Sequence, residues 1–101
     1  MGDKMDAIAV IFRKDKDGVF ALFPEIPADY YGNLCETYQH IGQHSGADYR
    51  GCIHNSKQAT QKEYADLLHE LRMIGYENLV IKHRASPEMH EKRRTAAKEI
   101  R

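Results

Sequence analysis

The amino-acid sequence predicts a small α+β domain built in the order β-β-β-α-β. Three observations carry that expectation. Two apolar runs of period two flank an Asp17-Gly18 pair, one well-capped amphipathic helix falls between Thr60 and Gly75, and a short apolar run, Leu79-Val80-Ile81, follows it. With 101 residues the chain has the length of one domain and can bury a single core without staples. The expected division is a folded domain over 1–84 and a basic tail over 85–101, partly helical or disordered.

The first strand, 6–13, alternates Ile8, Val10 and Phe12 on one face with Ala7, Ala9 and Ile11 on the other. Apolar residues on both faces predict an interior position. Lys14-Asp15-Lys16-Asp17-Gly18 breaks the run with charge, and Asp-Gly supplies the positive φ of a tight hairpin. The second strand is Val19 to Phe23, and Pro24-Glu25-Ile26-Pro27 is expected to leave the sheet as a fixed elbow. A turn at 29–33 leads to a third strand from Leu34 to about Ile41, more polar and therefore expected at the edge. The connection 42–57 is long and rich in Gly, Ser, Asn and His, which predicts a functional or poorly ordered loop, with Gly42 and Gly46 close to other backbone.

The helix has the clearest signals. Thr60 and Glu63 form a capping box, Tyr64, Leu67, Leu68, Leu71 and Ile74 an apolar stripe, and Gly75 a left-handed C-terminal cap. A right-handed crossover then sets the last strand, 79–84, parallel beside strand one, for the spatial order 3-2-1-4. Ser86-Pro87-Glu88 starts a frayed tail helix. The second sheet face then needs a cover: a homodimer, a partner or the tail.

Net charge is zero, but residues 1–81 hold eight basic against twelve acidic side chains and residues 82–101 seven against three. The body is acidic and the tail basic, so Lys92, Arg93, Arg94 and Lys98 are candidates for contacting nucleic acid or an acidic partner, against the alternative of an ordinary solvated end. The longest apolar runs, 7–12 and 19–23, are far too short for a bilayer. The N-terminus lacks the length and cleavage site of a secretory signal, so a cytoplasmic location is expected, with Cys35 and Cys52 as free thiols.

Reactive side chains gather between 35 and 54. Cys35, His40, His44, Cys52 and His54 invite a zinc reading, but Cys35 and His40 project to opposite faces of one strand and no Cys-x-x-Cys knuckle exists. A set of His40 or His44 with Cys52 and His54 remains, because Cys52-x-His54 puts two ligands on one side of an extended segment, and His44, Cys52 and His54 are the metal candidates. A cysteine nucleophile would need a histidine beside Cys35 or Cys52, and sequence shows no such geometry. Tyr38, His40, Gln43, His44 and Tyr49 form the candidate binding patch, with Tyr30 and Tyr31 nearby in the preceding turn, since such side chains combine area with hydrogen bonding. Alternatively, Tyr38 is a core aromatic and Gln43 and His44 satisfy loop backbone.

Val10-Ile11-Phe12-Arg13, Ala21-Leu22-Phe23-Pro24-Glu25-Ile26-Pro27 and Tyr38-Gln39-His40-Ile41-Gly42-Gln43-His44 together resemble a small bacterial and phage family carried on mobile elements, over most of the chain to Arg84. That resemblance implies no particular activity. The opening strand-turn-strand with Phe23-Pro24-Glu25-Ile26-Pro27 is also similar to HicB-like antitoxins, whose β-β-β-α-β domain inhibits a small RNA-cleaving toxin. The chain departs from them at Ala28-Asp29, where those antitoxins usually have Gly-Cys, and in the long segment 34–57 before the helix. The expected function is a non-enzymatic binding or regulatory module of mobile-element origin, contacting a protein or nucleic acid through 38–49. The alternative is a small metal-dependent or hydrolytic enzyme using the Cys and His residues of 35–54, with zinc as its one conceivable cofactor.

Overall fold

The computed structural model of the chain describes residues 7–40 and 43–100 and, of Gln43, the backbone alone. The expected end of strand three at Ile41 and the expected close approach at Gly42 lie outside them. A mixed sheet forms around the strand whose two faces are both apolar, β1 (Ile8–Asp15). It pairs antiparallel with β2 (Gly18–Pro27) from Ile11↔Leu22 to Asp15↔Gly18, and Gly18 takes φ +119° as the turn requires. Beyond β2 lie β3 (Cys35–Gln39) and then β4 (Gln43–Ala47), both antiparallel.

After β4 the chain forms α1 (Tyr49–His54), β5 (Lys57–Gln58), α2 (Gln61–Met73), β6 (Leu79–Lys82) and α3 (Pro87–Ile100). The free side of β1 carries β6, parallel over its first half, and β5, antiparallel over its last residues. The α+β class and the parallel crossover to β1 therefore hold. The order does not stop at 3-2-1-4, because β4 and β5 extend the sheet to β4-β3-β2-β1-β5 with β6 also on β1. The edge position expected of 34–41 belongs to β4.

Three further expectations are corrected by tertiary pairing. The 42–57 connection is no open loop: Asp48 caps α1 by accepting from Gly51 N at 3.1 Å, and Arg13 donates to Ser56 Oγ, Ser56 O and Ile53 O at 2.9, 2.7 and 3.1 Å. Its Gly46 does approach a neighbour closely, since a Cβ there would meet Ala28 Cβ at 3.0 Å. Pro24–Pro27 stays in β2 through a register shift, with Pro27 opposite Cys35. Finally, the tail is an ordered helix docked on β2, with Arg93 and Ala97 buried.

Two apolar layers result. On one face α2 sets Leu67 and Leu71 against Val10, Phe12, Ala21, Phe23 and Tyr38, with Phe12 stacked on Tyr64 at 4.4 Å and Phe23 on Tyr76 at 5.1 Å. The capping box of α2 is complete, with Glu63 N donating to Thr60 Oγ1 at 3.2 Å and Thr60 N to Glu63 Oε1 at 2.9 Å. On the other face Ile11, Phe20, Leu22 and Cys35 are covered by Tyr49, Cys52 and Ile53 of α1 and by Ala85, and α3 lies beside them. The tail thus contributes to covering this face, together with α1, which the sequence did not place there. Among the described residues no helix is long and apolar enough to cross a membrane.

Candidate functional site

Strand parity in β3 and β4, and the packing of α1 beyond them, divide the candidate residues between the two faces. Tyr38 points to the α2 side, and its buried hydroxyl donates to Glu70 Oε2. His40 Nδ1 meets the other oxygen, Oε1, of the same carboxylate. An ionised carboxylate only accepts, so in this pairing Nδ1 of His40 is the donor. The His40 side chain is 75% exposed, while Glu70 beneath it is largely covered. His44 extends the constellation: its ring meets Tyr38 edge-on at 4.7 Å, and its Nε2 lies 3.3 Å from Tyr76 Oη. Burial, followed by the Glu36 and Tyr38 charges, raises the Tyr76 pKa.

His40 and Glu70 of this cluster line a groove of about 870 Å³ between α2 and the β1–β2 turn. Val19, Leu67 and Met73 give it apolar surface, and Met73 is 72% exposed. Asp17, Glu63, Asp66 and Glu70 line it with carboxylates, against His40 and His69. Lys14 Nζ reaches Glu63 Oε2 at 2.5 Å, and that bond, with the Thr60 amide, lowers the Glu63 carboxyl to about 2. The groove is therefore acidic at neutral pH, and its chemistry suits a cationic or amphipathic partner more than a phosphodiester chain.

The remaining candidates go elsewhere. Tyr49 is on the opposite face, where its hydroxyl accepts from Ala85 N at 2.7 Å and its ring lies edge-on to His90 at 4.8 Å. It is a clamp between α1 and the start of α3, not part of the patch with Tyr38. The side chain of Gln43 lies outside the described residues.

The zinc set is not assembled, because His44 packs on the α2 side whereas Cys52 packs on the Ile11–Cys35 side. His54 is exposed, and among the described residues no three His, Cys, Asp or Glu side chains are placed to hold a metal ion. Cys35 and Cys52 are both free and share one apolar cluster. Burial pushes the Cys35 thiol up to about 11 and also raises that of Cys52, the reverse of what a thiolate nucleophile needs.

The basic tail is likewise no continuous cationic track. Lys92 reaches Glu25 at 3.7 Å and Arg94 reaches Glu91 at 4.0 Å. Arg93, offered by sequence as a contact residue, is 4% exposed and donates inward, from Nε to Gly32 O and from Nη1 to Pro24 O, each at 2.8 Å. Lys98 lines a small cleft with Tyr31 and Arg94.

Sequence reasoning missed Glu70, Asp66 and Asp17 as site residues, and Arg93 as an anchor. The one available signal was helical spacing, since Glu63, Asp66, Glu70 and Met73 fall along one edge of α2. A comparison with protein-family models, with curated proteins and with solved structures gives no match to this chain.

Proposed function

We propose that this chain is a non-enzymatic binding or regulatory module, and that its working surface is the groove between α2 and the β1–β2 turn rather than the whole segment 38–49. The observation that carries the reading is that His40 and Glu70, the latter held from behind by Tyr38, line an acidic groove with apolar surface. A buried tyrosine holds the carboxylate and the carboxylate holds an exposed histidine, so the recognition group is pre-oriented before a partner arrives. The partner of that surface is a protein offering Lys or Arg beside an apolar side chain. A mobile-element origin and kinship with HicB-like antitoxins belong to the same proposal. They rest on Phe23–Pro27 and on the β1-β2-β3-α2-β6 frame, into which β4, α1 and β5 are inserted. The enzymatic alternative draws no support from the positions of Cys35, Cys52, His44 and His54.

Photo-crosslinking from position 73 in the intact chain, in the cell that makes it, tests this. The expected result is a discrete protein adduct that Asp17→Lys with Asp66→Lys removes. Adducts to nucleic acid, adducts indifferent to the charge reversals, or no adduct would each sink it.

A further inference from the structure

Arg93 is a charged residue that the fold buries. A buried guanidinium gives up hydration worth several kcal/mol, and here its partners are two carbonyls and His90 Nδ1, at 2.8 Å each, rather than a carboxylate. The Gly32 bond ties α3 to the turn 28–34 and the Pro24 bond ties it to β2, while the His90 contact lies within α3 and orients the guanidinium. Gly32 takes φ +78°, and a Cβ there would lie 3.0 Å from Arg94 Cα and 3.1 Å from Ala97 Cβ. Within the turn, Asp29 Oδ1 accepts from Leu34 N at 2.8 Å and Ala28 N donates to Leu34 O at 2.9 Å. What this rigid turn presents is Tyr30 and Tyr31, which are 64% and 62% exposed with rings edge-on at 4.9 Å.

Each tyrosine borders its own cleft along α3. Tyr30 faces an apolar one of about 350 Å³, with Pro27, Ala28, Ala97 and the exposed Ile100. Tyr31 faces a charged one of about 280 Å³, where Arg94 and Lys98 outnumber Glu91. Exposed aromatics on an already ordered backbone lose little entropy on binding, which is why such residues dominate interface energetics.

We infer that the Tyr30–Tyr31 turn and α3 form a second docking surface, whose occupant is a protein segment carrying a bulky apolar side chain next to one or more carboxylates. The apolar group enters beside Tyr30 and Ile100, and the carboxylate meets Arg94 and Lys98 beside Tyr31. A nucleic acid fits less well, because Asp29 and Glu91 interrupt the positive charge that a polyanion needs. The α2 groove borders the turn that opens β2, whereas this surface follows its other end, so the two select partners of opposite charge independently.

The test is selection of a displayed random-peptide library on the intact chain, followed by affinity measurements on Tyr30→Ala and on Arg94→Glu with Lys98→Glu. The expected outcome is an enriched motif pairing a large apolar residue with Asp or Glu. Affinity for it falls about tenfold or more in each variant, as truncation of an interface anchor does, while both variants unfold like the parent. Asp17→Lys leaves that affinity unchanged, which separates this surface from the α2 groove. Absence of an acidic-apolar motif, or binding indifferent to the Tyr30 and Arg94 changes, overturns the inference. So does a fluorescent single-stranded oligonucleotide whose binding Tyr30→Ala abolishes.

Discussion

Replacing Arg93 with Met tests how much of the fold depends on one buried cation. Methionine keeps most of the apolar stem but removes the donors to Gly32 O and Pro24 O, and both of those residues are buried. Orphaning a buried carbonyl costs about 1–3 kcal/mol, so two cost about 2–6. Relief from burying the guanidinium returns part of that, which leaves a net loss of about 3 kcal/mol. For a domain of this size about 3 kcal/mol lowers Tm by roughly 12–24 °C. Urea unfolding measures the loss, and hydrogen exchange locates it: amides of 28–34 and of α3 should exchange much faster, those of β1 little changed. A loss under about 1 kcal/mol, or a gain, would refute the argument, because isosteric replacement of buried charge is sometimes stabilising.

Glu70→Gln leaves Tyr38 and His40 competing for one amide oxygen; the expected cost is about 1–3 kcal/mol by urea unfolding, and no change would mean that Glu70 is not holding Tyr38. Gly32→Ala places a Cβ in a left-handed conformation and against α3, and should cost about 2 kcal/mol or more, with α3 amides deprotected. His90 accepts at Nδ1 from Arg93, and burial, then Arg93, Arg94 and Arg50, lower its pKa, so it is neutral in the fold. Its stabilising effect is complete above the ordinary imidazole value of about 6.5 and is lost as pH falls through that value toward the lower folded one. Tm should therefore drop from about pH 7.5 to pH 5, and His90→Gln should flatten that drop. A thiol-reactive chromophore should label the native chain slowly at Cys52 and leave Cys35 untouched until urea unfolds it; rapid native labelling of Cys35 would contradict its burial.

Where neighbours in sequence decide the structure, the sequence was readable. Thr60 and Glu63 cap one another within a single turn, and the two apolar faces of β1 require a central place whatever surrounds it. The segment 43–58 was opaque because Gln43–Ala47 carries no strand pattern of its own. It becomes a strand through the ladder β3 offers it, and α1 is too short to display a helical period. Lys92-Arg93-Arg94 reads as a solvated run, since the carbonyls that draw Arg93 inward belong to residues 24 and 32. At the candidate site, parity put Tyr38 and His40 on one face, but only the packing of α2 supplied Glu70. Tyr49 left the patch to which proximity in sequence had assigned it because it opens α1, which packs on the opposite face of the sheet.

The bonds from Arg93 to Gly32 and Pro24 span 61 and 69 residues. During synthesis the turn 28–34 thus emerges long before the helix that fixes it. A nascent chain that has completed β1 to β3 still exposes Phe20 and Leu22, which wait for α1 and Ala85, and its edges stay open to mispairing until β4 pairs with β3 and β5 and β6 pair with β1. A chain halted before residue 93 lacks the donor that reaches both Gly32 and Pro24, so the contact that joins its early turn to its late helix is the last of these to form.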